Sequence, residues 1–152
     1  EFIYEPFMKP LGIETNLIFQ EKFGAGEPSD EMIDQIVKEM KKFQFDRIIA
    51  FGGGTIVDIC KVLALEVPER SLDLFLGAVP PKKKYPLVAV PTTCGTGSEV
   101  TNVAIAELKS MHIKKGIAVE DTYADIAVLI PETVKALEIL CHQFHRCLDP
   151  CH

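Results

Sequence analysis

Two segments of glycine and hydroxyl residues constrain this chain more than anything else in it. The first reads Gly52-Gly53-Gly54-Thr55-Ile56-Val57-Asp58, and the second reads Pro91-Thr92-Thr93-Cys94-Gly95-Thr96-Gly97-Ser98-Glu99-Val100-Thr101. Each closes a short apolar run, Arg47–Phe51 before the first and Leu87–Val90 before the second. A nearly continuous run of this kind is expected of a strand buried on both faces in a parallel sheet. Behind the first turn, Ile56, Ile59, Val62 and Leu63 recur at helical spacing over Thr55–Leu65. Strand, small-residue turn, helix, and strand again is the grammar of an α/β layer fold. The expected architecture is a Rossmann-like parallel sheet with flanking helices.

The remaining elements follow from local pattern. Asn16–Phe19 reads as a short strand. Ser29, Asp30 and Glu31 place a cap and acidic residues at a helix start, with Met32, Ile33, Ile36, Val37 and Met40 as its apolar stripe. Past the second loop, Val103–Ala106 and Gly116–Val119 are expected to pair as a hairpin around His112–Lys115, and Ala127–Ile130 to form a further strand.

Composition excludes several classes of partner. The 152 residues are 47% apolar and carry a net charge of −6, which fits a globular chain and disfavours nucleic acid or an anionic membrane surface. The one basic run, Lys82-Lys83-Lys84, lies between prolines and reads as a solvated loop. No apolar stretch could cross a bilayer and the start has no signal-peptide layout, so a cytoplasmic location is expected. The chain begins without Met, as though inside a larger protein.

The chemistry lies in the two turns. Glycines between a buried strand and a helix take positive φ and let a ligand approach the backbone. The helix start then offers free N–H groups and a positive dipole end to a phosphate. Neither G-x-G-x-x-G nor a P-loop is present, and three glycines alone could be a tight turn without a ligand. Asp58 and Lys61 stand one turn apart on the new helix. They could form an ion pair that fixes the loop, or an ordinary surface contact. The second loop sets hydroxyls at Thr92, Thr93, Thr96, Ser98 and Thr101 among glycines. After a parallel strand it would lie at the carboxyl edge, where open α/β sheets bind ligands.

Taken together, the two motifs resemble those of the iron-containing (group III) alcohol dehydrogenases. The resemblance runs to about residue 137, and the stretches Gly24–Asp30 and Leu72–Phe75 are most similar to the branch acting on 4-hydroxybutyrate. It implies the N-terminal part of a two-domain, dehydroquinate-synthase-like fold whose helical domain is missing. Residues 1–137 would be a partial NAD(P)-binding domain. By this resemblance Gly52, Gly53 and Gly54 would meet the pyrophosphate of NAD or NADP through backbone N–H groups, Thr55 would also bind the cofactor, and Asp58 would steady the loop near the nicotinamide end. Thr92 and Thr93 would line the adenosine side, Thr96 would approach the nicotinamide ribose or amide, Lys115 would reach a ribose, and Leu129 would add a backbone or packing contact. Divalent iron, or zinc in relatives, would belong to the longer protein, a homo-oligomer acting on a small alcohol or aldehyde. This chain is expected to hold no metal ligand and no catalytic residue of its own, and to be inactive alone. Dehydroquinate-synthase-like lyases share the glycine loop but not the wording after Pro91-Thr92-Thr93. They remain a second reading, and a non-catalytic nucleotide-binding module a third.

The tail departs from the rest. Cys141, His142, His145, Cys147, Cys151 and His152 crowd the last residues, yet their spacing fits no standard zinc site. Shifted by one nucleotide, the codons allowed there permit an Asp-x-x-x-His run, which in the family supplies two metal ligands. The hypothesis is that Glu138–His152 is out-of-frame text, so that Asp149 is no ligand. DNA sequence across the junction tests it, and an unbroken frame encoding Cys141–His145 as written defeats it.

Overall fold

A computed structural model describes residues 9–24 and 26–133. The reading of Glu138–His152 as out-of-frame text lies outside the described residues. Helix α1 (Asp30–Met40) starts where Ser29 Oγ accepts the Met32 N–H at 3.2 Å, with Asp30 and Glu31 in its first turn. Strand β1 (Ile48–Gly52) leads into α2 (Gly54–Leu63), and the short helix α3 (Leu72–Phe75) precedes β2 (Leu87–Pro91). Strands β3 (Val103–Leu108) and β4 (Ile113–Ala118) follow, then the two-residue β5 (Ile126–Ala127).

Among the described residues, β1, β2 and β5 form a parallel sheet in the order β1-β2-β5. The β1–β2 register pairs Ile48 with Leu87 and Gly52 with Pro91. Both strands therefore end at the same level, on the same edge. Strands β3 and β4 make a separate antiparallel hairpin.

Helix α2 lies between these two layers and is apolar nearly all round, as a centrally packed helix must be. On one side Val57 and Ala64 pack with Ala50, Leu87 and Ala89 of the sheet. On the other, Ile59, Val62 and Leu63 join Met32, Ile33 and Ile36 of α1, Leu74 and Phe75 of α3, and Ala104, Ala106, Leu108 and Ile117 of the hairpin.

Several local expectations need correction. Strand β1 is buried on one face only, since Ile49 and Phe51 are exposed while Ala50 is fully covered. A continuous apolar run shows that a strand is apolar on both faces, not that both are covered. Asn16–Phe19 is not a strand, and among the described residues no strand pairs with its backbone. The hairpin turn falls at Lys109–His112, with His112 at φ 52°, so Lys114 and Lys115 belong to β4. The predicted strand Ala127–Ile130 shrinks to Ile126–Ala127, anchored where the Asp125 carboxylate accepts the Leu87 N–H at 2.7 Å.

Candidate functional site

The two loops leave neighbouring parallel strands at the same edge and touch. At the base, the Thr92 N–H donates to the Gly52 carbonyl at 2.9 Å. Higher up, a Cβ added at Gly53 would sit 3.1 Å from Thr93 Oγ1, and one at Gly54 would sit 3.0 Å from Thr96 Cγ2. Gly52 is closed off by its own helix, since a Cβ there would meet Ile56 Cγ1 at 2.5 Å. None of these three glycines has a positive φ; Gly53, for instance, has φ −74°. The expectation that they serve a left-handed backbone is therefore wrong. They are glycines because a second chain segment or an underlying side chain occupies the space a Cβ would take. In the second loop Gly95 and Gly97 do have positive φ, 94° and 66°, with nothing crowding them.

Helix α2 opens into this junction with Gly53 as its N-cap and no side chain capping it. First-turn N–H groups have no intrahelical acceptor, and their partial positive charge suits an anion. Beside them Thr93 Oγ1 is buried without a hydrogen-bond partner. A buried hydroxyl left open is costly unless something completes it. An unpartnered hydroxyl and an uncapped helix start, walled by glycine, fit a phosphate-bearing ligand.

Asp58 and Lys61 are not the surface pair their spacing allowed. Lys61 is completely buried, and its ammonium donates to the Val103 carbonyl at 2.7 Å and to Thr101 Oγ1 at 3.3 Å. Asp58 Oδ1 lies 3.6 Å from it, an electrostatic contact beyond hydrogen-bond reach, and has no hydrogen-bond partner. Burial pulls the Lys61 ammonium below the ordinary lysine value, with the Asp58 carboxylate opposing that shift. Asp58 Oδ2 accepts the Ile105 N–H at 3.4 Å.

A cavity of about 260 Å³ opens beside the first turn of α2 rather than over the glycines; Glu27, Thr55, Asp58, Ile105, Glu107 and Lys114 line it. Thr55 and Asp58 thus join the loops to an adjoining space large enough for a small organic group. Lys115 stands in β4 opposite Ala106, half-buried, and its neighbour Lys114 lines the cavity instead. Leu129 is 68% exposed just past β5. It precedes a turn tied back to the sheet edge, where the Thr133 hydroxyl lies 3.3 Å from the Pro91 carbonyl. The structure therefore unites Gly52, Gly53, Gly54, Thr92, Thr93 and Thr96, sets Thr55 and Asp58 at their margin, and places Lys115 in β4 and Leu129 just past β5. Sequence reasoning missed Glu27 and Lys114, which no motif marks. Among the described residues, no group of three or more His, Cys, Asp or Glu side chains could hold a metal ion.

The profile of the iron-containing alcohol dehydrogenase family matches residues 2–131, and the chain belongs to that family. One curated relative, the 4-hydroxybutyrate dehydrogenase of Clostridium kluyveri, is 56% identical over 137 residues, 90% of this chain and 37% of its own length. The sulfoacetaldehyde reductase of Bifidobacterium kashiwanohense, solved in complex with NAD+, aligns with a TM-score of 0.68 at 26% identity. That alignment covers 74% of this chain and 31% of the reductase. The NADH-dependent butanol dehydrogenase A of Thermotoga maritima shares the fold, with a TM-score of 0.74 at 24% identity over 84% of this chain and 32% of its own. The chain thus spans well under half the length of the relatives it matches.

Proposed function

We propose that this chain is the cofactor-binding part of an NAD(P)-dependent primary alcohol dehydrogenase that interconverts 4-hydroxybutyrate and succinate semialdehyde. The observation that carries the reading is the meeting of the glycine and threonine loops at one sheet edge, over an uncapped helix start. The α2 N–H groups at Gly54, Thr55 and Ile56 would receive the pyrophosphate. Thr93 would complete its open hydroxyl on the same ligand, and Thr92 and Thr96 would flank it. Asp58, which lines the cavity and whose Oδ1 faces the Lys61 ammonium at 3.6 Å, would steady the loop near the nicotinamide end. Lys115 and Leu129 would need the remainder of the ligand to reach them. When bound, the dinucleotide supplies the hydride acceptor; the chain's own residues bind and orient it.

The likeness to the Clostridium kluyveri enzyme supports the substrate, and family membership favours the dehydrogenase over the lyase. Residues 1–137 form the dinucleotide domain in this reading. A cytoplasmic homo-oligomer that does not bind nucleic acid or membrane completes it.

Titration of the chain with NADH, followed by nicotinamide fluorescence, tests the cradle. Saturable binding that weakens in Thr93→Val is expected, since valine keeps the shape and removes the open hydroxyl. Undiminished binding by that variant contradicts the assignment of Thr93. For the substrate, residues 1–137 would replace the matching segment of the Clostridium kluyveri enzyme. Retained NAD-linked oxidation of 4-hydroxybutyrate is expected, and a chimera that folds but prefers an uncharged alcohol argues against that substrate.

A further inference from the structure

We infer that Lys61 is a positioning residue of the dinucleotide site: from inside the molecule it fastens the far end of the threonine loop, and the Asp58 carboxylate, to the helix that follows the glycine loop. The inference rests on the cradle reading given above.

An ammonium group out of water is tolerated only when its donors are matched. Lys61 donates to the Val103 carbonyl at 2.7 Å and to Thr101 Oγ1 at 3.3 Å, with the Asp58 carboxylate 3.6 Å away as its counter-charge. Both acceptors lie downstream, by 42 and 40 residues, where the threonine loop passes into β3. Asp58 Oδ2 adds the Ile105 N–H from the same strand. One turn of α2 therefore suspends the segment Thr101–Ile105. The other end of the loop is held by the Thr92 N–H on the Gly52 carbonyl. With both ends pinned, Thr93 and Thr96 sit against Gly53 and Gly54. Releasing the Lys61 end would free the hydroxyls to drift from the helix start, and misplacement on the scale of an ångström is enough to weaken a polar site strongly.

The charges facing the Lys61 ammonium are Asp58 from its own helix and Glu99 from the turn Ser98–Val100. On the cavity side Asp58 shares its space with Glu27, Glu107 and Lys114. Because burial outweighs these partners and holds Lys61 below the ordinary lysine value, its proton leaves earlier than that of a solvated lysine as pH rises. The grip on the loop should loosen with it.

The test compares NADH affinity, by fluorescence titration, for the wild-type chain, Lys61→Met, Thr101→Val and the control Leu74→Ala, a core residue of α3 that belongs to neither loop. Lys61→Met should weaken binding at least about ten-fold, on the order of 1.4 kcal/mol. Thr101→Val, which removes one acceptor at an exposed residue, should cost roughly two- to three-fold. As pH rises towards the ordinary lysine value the wild-type affinity should fall, and the Lys61→Met profile should stay flat. Folded Leu74→Ala should bind as wild type. Wild-type affinity in Lys61→Met, or an equal loss in folded Leu74→Ala, overturns the inference. If Lys61→Met fails to fold, a wild-type profile that stays level to alkaline pH, or full affinity in Thr101→Val, overturns it. Failure of the wild-type chain to bind NADH overturns the cradle reading and this inference with it, whereas binding indifferent to Lys61 overturns this inference alone.

Discussion

The two loops look alike in sequence and are built on different constraints. In the glycine loop, backbone angles are ordinary and the missing Cβ is what counts, because Ile56, Thr93 and Thr96 stand where it would be. In the threonine loop, space is free around Gly95 and Gly97 and the positive φ is what counts. One loop is a packing surface and the other is a set of tight bends that aims hydroxyls at it. The lesson is that glycine content alone does not say what a loop needs; only its neighbours do.

Stability measurements can break that contrast. The largest effect is expected from Gly52→Ala, whose Cβ would lie 2.5 Å from Ile56 Cγ1 and 2.7 Å from its Cβ. Overpacking of that kind costs about 1–3 kcal/mol, read as a lowered melting temperature. Gly97→Ala should lose about 1–2 kcal/mol from the left-handed backbone alone. No second-site change should recover it, since nothing lies within 4 Å of its Cβ position.

Gly53→Ala should cost on the order of 1 kcal/mol, and Thr93→Ala should restore most of it, because only the Thr93 Cβ, 3.8 Å away, would remain near. That double variant should still bind NADH poorly, having lost the hydroxyl. Rescue of Gly97→Ala by a neighbour, or failure to rescue Gly53→Ala, would erase the distinction. It also follows that a bulky residue at Gly53 cannot by itself report on phosphate approach, since it collides with Thr93 first.

The smallest effect is chemical. Cys94 is exposed in the threonine loop, whereas burial pushes the Cys60 thiol up from 9.0 to about 12. At about pH 8 Cys60 should therefore stay protonated and resist alkylation while Cys94 reacts, and NADH should slow Cys94. Mass mapping of the labelled peptides reads both. Because the folded value is raised, the stability tied to the Cys60 proton is complete below 9.0 and is lost as pH climbs towards about 12. Lys61 has the opposite sign: its folded value is depressed, so its burial cost is greatest at neutral pH and fades as the unfolded lysine also loses its proton.

Much of this was legible in sequence. Ser29 marked the start of α1, and the apolar runs ending at Gly52 and Pro91 marked β1 and β2. The family wording of the two loops pointed to their convergence. What was not legible depended on distant contacts. The burial of Lys61 was missed because lysines default to the surface, although Ile59, Cys60, Val62 and Leu63 around it left that turn no wet side. Asn16–Phe19 has strand-like residues, but pairing is a property of two segments. Exposure of Ile49 and Phe51 depends on what lies across the sheet, which an apolar run cannot state.

The most direct test follows the backbone amide resonances of both loops while NADH is added to the isotopically labelled chain. Gly53, Gly54 and Thr55 should shift together with Thr92, Thr93 and Thr96 along one binding isotherm. Shifts confined to one loop, or two unrelated isotherms, would contradict a shared cradle for one dinucleotide.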